Sequence, residues 1–168
     1  MASRRLVARR LQGVSRKMPI VETKYFGPME IGELNCIEFP AGLPAFEQER
    51  QFILIEPPEK SPLVFFQSVC TKNLCFLALP VRGILPDYEV FATPDDLALL
   101  GLNGETSSIL NVLALLTVTE SGHVTANLLA PVLVNRAARQ AVQAVRLDQR
   151  YSHQHVIGAL RQGARACS

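Results

Sequence analysis

The spacing of glycine and proline constrains the fold of this chain more than any other feature of its sequence. From Ile20 onward, short β-type runs alternate with breakers such as Gly27-Pro28, Pro57-Pro58 and Ser121-Gly122, at intervals of roughly ten residues. This pattern is typical of an antiparallel sandwich or barrel, whereas parallel strands need a long crossover connection, usually a helix. The sequence therefore predicts an all-β, mainly antiparallel, β-barrel-like fold with one or two short helices.

The predicted strands lie between these breakers, and Pro131 marks an irregular point near the end of the chain. Proline cannot donate a hydrogen bond to a strand ladder, so we expect a bulge or an edge at Pro131 and a bend in the strand. The strands are predicted at residues 21–26, 29–31, 36–39, 51–56, 64–68, 75–80, 108–119, 124–130, 132–134 and 141–147.

Two short helices are expected among the strands. In the sequence TPDDLALLGL, Thr93 is a capping residue, Pro94 suits the first helical position, and Gly101 ends the helix after two turns. The two aspartates that follow Pro94 complement the positive end of the helix dipole. A second helix from residue 135 to 140 or beyond is a weaker prediction, because the following VQAVRL also alternates as a strand does.

Composition indicates one globular domain. The chain has 168 residues, of which 48% are apolar and 19% are charged. Its longest apolar stretch, residues 108–118, is shorter than the ~20 residues that cross a bilayer, and arginines interrupt the N-terminal segment where a secretion signal needs a continuous apolar region. We therefore expect a cytoplasmic protein without a membrane span. The expected organisation is a basic, disordered extension at 1–17, a single β-barrel-like domain at 18–150 and a C-terminal tail at 151–168.

Cysteine usage also fits a reducing compartment. The chain has four cysteines with no CxxC pair and no regular spacing: Cys36, Cys70, Cys75 and Cys167. Cys70 and Cys75 flank the turn-like TKNL and are placed to face each other across a hairpin. The sequence leaves open whether they pair or remain free thiols.

Charge is distributed unevenly along the chain. Residues 1–17 carry six basic side chains and no acid, residues 18–134 carry five basic against fourteen acidic side chains, a net charge of −9, and residues 135–168 carry six arginines against Asp148 alone. An acidic body attracts basic proteins and repels phosphate backbones, which favours a basic protein partner. The alternatives are that the acids serve solubility alone, or that the basic ends bind nucleic acid or a membrane.

The sequence contains no recognisable motif for catalysis or metal binding. It has no GxSxG elbow and no phosphate-binding glycine loop, and its histidines lie in no triad setting. The best local pair of metal ligands, His153 and His155, has no third ligand nearby. We therefore expect no enzyme activity, no cofactor and no metal.

Five stretches of the chain, read in order, resemble the bacterial flagellar assembly factor family FliW, and together they extend from about residue 18 to 155. They are 22–31 (ETKYFGPMEI), 39–47 (FPAGLPAFE), 61–68 (SPLVFFQS), 86–89 (PDYE) and 125–135 (TANLLAPVLVN).

The resemblance implies a compact β-barrel-like domain that acts by protein contact. Its implied partners are flagellin and the RNA-binding carbon storage regulator CsrA, a translational repressor, with no direct contact to nucleic acid or membrane and a monomeric free state. When flagellin is secreted, the freed factor is expected to bind CsrA and relieve repression of flagellin translation.

Partner contacts are predicted at exposed acids and turn residues. A purely structural role is the alternative for two of them, since Tyr88 has the size to plug the barrel and Asn127 has the groups to satisfy buried backbone. The chain departs from the family pattern in its arginine-rich first 17 residues, in its Cys70 and Cys75 hairpin and in its C-terminal tail. The predicted contact residues are Glu30, Glu33, Asp87, Tyr88, Glu89 and Asn127.

Overall fold

The structure is a computed structural model that describes residues 19–32, 35–103 and 110–159. Glycine and proline separate its strands as the sequence predicts, and the elements follow one another in short succession. They are β1 (Ile20–Thr23), β2 (Gly27–Glu30), β3 (Cys36–Glu38), β4 (Gln51–Ile55), β5 (Val64–Ser68), β6 (Cys75–Pro80), α1 (Val81–Ile84), α2 (Pro94–Leu99), β7 (Asn111–Val118), β8 (His123–Ala126), β9 (Val132–Asn135), β10 (Gln140–Gln143) and β11 (His155–Ala159).

Seven of the strands close into a barrel in the order β7-β6-β5-β4-β3-β10-β9. The ring closes because β9 also pairs with β7, with Val112 opposite Leu133. Every neighbouring pair in the ring is antiparallel except β3 and β10, which share one parallel pairing between Glu38 and Gln140. The predicted all-β, barrel-like fold with one or two short helices is confirmed.

Strand β7 belongs to the barrel along its first half and to a side sheet along its second half. From Leu116 to Val118 it pairs with β8, and β8 pairs in turn with β11. Strand pairing stops between Ala126 and Val132, so the predicted interruption at Pro131 is present. Because β11 reaches Ala159, the sheet continues past the boundary that we expected at residue 150.

Three phenylalanines form the centre of the barrel core. The ring of Phe39 packs edge-on against Phe52 and Phe66, with centroids 5.2 and 5.9 Å away, and all three side chains are almost fully buried. Burying a side chain of this size contributes about 1.5–3 kcal/mol. The β1–β2 hairpin lies outside this core, where Val21 and Ile31 cover Ile53 on the outer face of β4.

Of the two predicted helices, the one that begins after Thr93 is present and the one at residues 135–140 is not. At α2, the Thr93 hydroxyl accepts a hydrogen bond from the Asp96 amide and the Asp96 carboxylate accepts one from the Thr93 amide, which completes a capping box. The predicted second helix is wrong, because residues 136–139 form a turn with Arg139 at φ 57° and β10 follows. Pairing of β10 with β9 outweighs the weak helical pattern. The single-turn helix α1 was not predicted.

The two helices of the described ranges are far too short to cross a bilayer, and none of the described segments contains a long apolar helix.

Candidate interaction surface

The segment between α1 and α2 holds one buried tyrosine between two exposed acids. Tyr88 is 3% exposed, its hydroxyl donates a 2.8 Å hydrogen bond to the carbonyl of Leu128, and its ring lies against Tyr151 with centroids 4.4 Å apart. Burial raises the pKa of Tyr88. Because Tyr88 points inward, the neighbouring Asp87 and Glu89 are held facing solvent.

The buried side chain of Arg146 holds the backbone of the segment that contains Tyr88. It is 6% exposed, and it donates a 2.6 Å hydrogen bond to the carbonyl of Glu89 and a bidentate pair of hydrogen bonds to Asp148. Its guanidinium carbon lies 5.0 Å from the ring centroid of Tyr151 and 5.4 Å from that of Phe91. The planar fork and the two aromatic contacts suit arginine and not lysine. We call residues 87–89, whose backbone Arg146 supports and whose two acids are exposed, the acidic strip.

Arginines also neutralise part of the acidic strip. Arg150 forms an ion pair with Glu89 and lies 4.0 Å from Asp148. These side chains are well exposed, so each pair contributes on the order of 0–1 kcal/mol. Asp87 forms no ion pair with any residue that the structure describes.

The pairing of Asp148 with Arg146 predicts an acid-dependent loss of stability. The hydrogen bond from Arg146 lowers the pKa of Asp148 to about 2. A lowered folded-state pKa stabilises the fold above the unfolded pKa near 4, and this contribution disappears as pH falls from about 4 to about 2. We therefore expect Asp148→Asn to flatten the fall in unfolding free energy over that window, measured by urea denaturation. Glu59→Gln, at an exposed acid with no ion pair among the described residues, is the control, and an unchanged slope in Asp148→Asn would refute the assignment.

Four of the six predicted contact residues come together, and two do not. Asp87 and Glu89 flank Tyr88, and the Tyr88 hydroxyl donates to the carbonyl of Leu128, the residue next to Asn127. The carboxamide oxygen of Asn127 accepts a 2.9 Å hydrogen bond from the Ala130 amide. Tyr88 and Asn127 thus have structural roles, and their partner contacts stay predictions. Glu30 is exposed at the end of β2, on the hairpin that covers β4 and away from this region. Glu33 lies outside the described residues.

A groove lies at one end of the barrel beside Asn127. It has a volume of about 360 Å³, and Phe46 and Phe76, packed edge-on at 5.2 Å, form one wall. The polar side chains of Asn127, His153 and Gln154 also line it. Sequence reasoning missed both this groove and Arg146. A lone arginine among the apolar residues of AVRL was the available signal for Arg146.

The loop that carries Phe46 is tightly constrained. Ala45 has φ 68°, a conformation that costs a non-glycine residue about 1–3 kcal/mol. At Gly42, with φ 72°, an added Cβ would lie 2.7 Å from the backbone of Glu47, so only glycine fits. The turn therefore holds Phe46 in place, although 38% of that residue is exposed.

A larger cavity, of about 750 Å³, lies elsewhere on the barrel. Prolines and aliphatic side chains make up most of its lining, and Arg82, Arg136 and Glu56 are its charged members. Glu56 is already paired with Arg136 at 2.5 Å. The lining contains no histidine or cysteine, and no group of three metal-ligating side chains occurs within the described parts of the chain.

Arginines from the C-terminal part of the chain neutralise some of the acidic side chains. The stretch from Arg136 to Arg150 folds back onto the barrel. Three acids pair with those arginines: Glu56 with Arg136, Glu89 with Arg150 and Asp148 with Arg146.

The cysteines of the β5–β6 hairpin are not paired. Cys70 is exposed, Cys75 is half-buried, and both are free thiols. Burial raises the pKa of Cys75 to about 11, which keeps it protonated and unreactive at neutral pH.

These features define a small seven-stranded β-barrel protein that presents a rigid surface built from loops. The sequence model of the FliW protein family matches residues 20–157. The flagellar assembly factor FliW of Bacillus subtilis (strain 168) is 37% identical over 140 residues, which cover 83% of this chain and 96% of that relative. FliW of Geobacillus kaustophilus (strain HTA426) is 35% identical over 136 residues, covering 80% and 92%. A crystal structure of the flagellar assembly factor FliW superposes with a TM-score of 0.72 at 32% identity, covering 82% of this chain and 96% of that one. The chain belongs to the FliW family of flagellar assembly factors, which confirms the resemblance found in the sequence.

Proposed function

We propose that this chain is a non-enzymatic, cytoplasmic flagellar assembly factor that binds flagellin and, when free, binds CsrA and relieves its repression of flagellin translation. The observation that carries the proposal is the family match over residues 20–157, which takes in the whole barrel and most of its side sheet. The relatives are named for flagellar assembly, and a solved structure with that name has the same fold.

The acidic strip is the part of that surface best suited to a basic partner. Asp87 and Glu89 are exposed, yet their backbone is fixed by Tyr88 and Arg146, so little conformational entropy is lost when a partner docks. Exposed carboxylates of this kind accelerate encounter with a basic protein more than they add affinity. Since Arg150 already pairs with Glu89, Asp87 is expected to be the stronger contact.

Charge reversal of the strip tests this role. In the variant Asp87→Lys/Glu89→Lys, we expect the association rate with purified CsrA to fall by roughly tenfold at low salt, with little change in thermal stability. Stopped-flow fluorescence or surface plasmon resonance measures the rate. The matched control Glu59→Lys/Glu120→Lys reverses two other exposed acids that have no ion pair in the described parts of the chain. Equal rates in the two variants, or binding by wild type that salt does not weaken, would remove the strip from the interface.

The cavity geometry supports a role without catalysis. The 750 Å³ cavity has one carboxylate, Glu56, and that group is held by Arg136. General acid–base chemistry needs a titrating group free to exchange a proton with a substrate. Among the described residues, this cavity supplies none.

A nucleic-acid-binding module that acts through basic termini is the second candidate, favoured by the six basic side chains and no acid within residues 1–17. A gel shift with flagellin leader RNA distinguishes the two. RNA binding by the full chain that disappears when residues 1–17 are removed would favour the second candidate. RNA binding that requires CsrA would favour the first.

A further inference from the structure

The cavity of about 750 Å³ lies at the end of the barrel where β5 begins and β6 ends. Its lining includes Val64 and Leu113, two residues of the barrel core that are each 3% exposed. Small-molecule sites usually have volumes of about 300–1,000 Å³ and mostly apolar walls. The cavity therefore has the size and the lining of a ligand site. We call it the proline cavity after its four prolines, Pro57, Pro58, Pro62 and Pro80.

Arginines line the proline cavity, although the central segment of the chain is acidic. Residues 18–134 carry five basic side chains against fourteen acidic ones, and Arg82 is one of those five. Arg136 also lines the cavity, and Glu56 is the one acid among the described lining residues. Two arginines against one glutamate leave the lining with a net positive charge. The acidic body repels small anions elsewhere, so this lining favours an anionic ligand by contrast with its surroundings.

The two arginines are not equally available. Arg136 pairs with Glu56 at 2.5 Å. Arg82, an exposed residue of α1, forms no ion pair with any residue that the structure describes. The planar guanidinium presents a fork of N–H donors that matches the two oxygens of a carboxylate or a similar anion. Arg82 is therefore the residue best placed to receive the charged end of a ligand.

The backbone around the proline cavity is poorly suited to binding the main chain of a peptide. Its four prolines have no N–H to donate. The Ser61 amide donates to the Pro58 carbonyl at 3.3 Å, and the Leu63 amide donates to the Lys60 carbonyl at 2.9 Å, so both are used within the same turn. Leu113 is paired within the sheet. Peptides that bind by their backbone need free donors and acceptors, which favours a small molecule as the occupant.

We propose that the proline cavity binds a small organic anion, whose apolar body packs against Val64, Val112 and Leu113 and whose single carboxylate or sulfonate group pairs with Arg82. The apolar body supplies most of the affinity, and the arginine sets the orientation and selects for negative charge. None of residues 87–89 lines this cavity, so the site is separate from the acidic strip. It goes beyond the proposed function.

Titration of the full chain with anilinonaphthalene sulfonate, a fluorescent dye with an apolar body and one sulfonate, tests the proposal. We expect one site, with contacts from the dye to the methyl groups of Val64 and Val112 in NMR nuclear Overhauser spectra. In Arg82→Gln the affinity should fall by about tenfold, because a charge-assisted hydrogen bond is lost. The matched control Lys72→Gln removes the same charge from an exposed residue outside the cavity and should leave the affinity unchanged.

Two further ligands separate the contributions of charge and shape. Phenylnaphthylamine, which has the same rings without the sulfonate, should bind the wild type and Arg82→Gln equally. An acetylated tripeptide of alanine, alanine and leucine, with a free C-terminal carboxylate, should bind more weakly than the dye. Absence of dye binding, equal losses in Arg82→Gln and Lys72→Gln, or dye contacts confined to residues outside the cavity would each overturn the proposal. Tighter binding of the tripeptide than of the dye would also overturn it and would assign the cavity to a protein C-terminus.

Discussion

Replacing Phe39 by alanine is expected to lower the free energy of unfolding by about 4 kcal/mol. Phe39 is 0% exposed and packs edge-on against Phe52 and Phe66 at the centre of the barrel. Truncation removes the ring from the core and leaves a cavity that the closed strands cannot readily fill. Urea denaturation followed by fluorescence or circular dichroism measures the loss.

The matched control for this prediction is Tyr25→Ala. Tyr25 is an aromatic residue in the β1–β2 turn that is 60% exposed, and its loss is expected to cost less than about 0.5 kcal/mol. If Phe39→Ala lost no more stability than Tyr25→Ala, the three phenylalanines would not form the core that closes the barrel.

Replacing Arg146 by leucine is the second change with a large expected effect, a loss of about 2–3 kcal/mol in unfolding free energy. The Glu89 carbonyl would lose its buried donor, and Tyr151 and Phe91 would lose the guanidinium that lies against their rings. Because the acidic strip would no longer be fixed, we also expect weaker binding of the basic partner.

Arg146→Lys and Arg150→Leu separate these contributions. Lysine keeps the charge at position 146 but not the bidentate fork, so most of the loss should remain. Arg150 is an exposed arginine of the same region, and its replacement should change stability by less than about 0.5 kcal/mol. Equal losses in Arg146→Leu and Arg150→Leu, measured by urea denaturation, would show that burial of Arg146 contributes nothing.

Much of the fold could be predicted because its signals are local. Glycine and proline punctuation located the strands, and Thr93 with Pro94 located α2, since capping depends on neighbours within one turn. Closure of the barrel through β7 and β9 could not be predicted, because pairing between strands distant in sequence leaves no periodic signal. The wrong helix at 135–140 has the same cause. Its helical pattern is weak, and the segment instead forms a turn and strand β10, which pairs with β9.

The candidate site was predictable only in part for a related reason. Asp87 and Glu89 stand out as acids in a turn, but sequence cannot show that Tyr88 points inward and fixes them. The sequence also cannot show that arginines of the basic C-terminal part pair with acids of the central part. Arg136 and Arg150 pair with Glu56 and Glu89 of the central segment, and Arg146 pairs with the nearby Asp148.

Translation of a flagellin messenger RNA in a purified system tests the central claim most directly. CsrA alone should repress synthesis, an equimolar amount of this protein should restore it, and added flagellin should bring repression back by occupying the factor. The Asp87→Lys/Glu89→Lys variant should restore synthesis more slowly than the wild type. Continued repression in the presence of the wild-type protein, or a change in translation when CsrA is absent, would contradict the account.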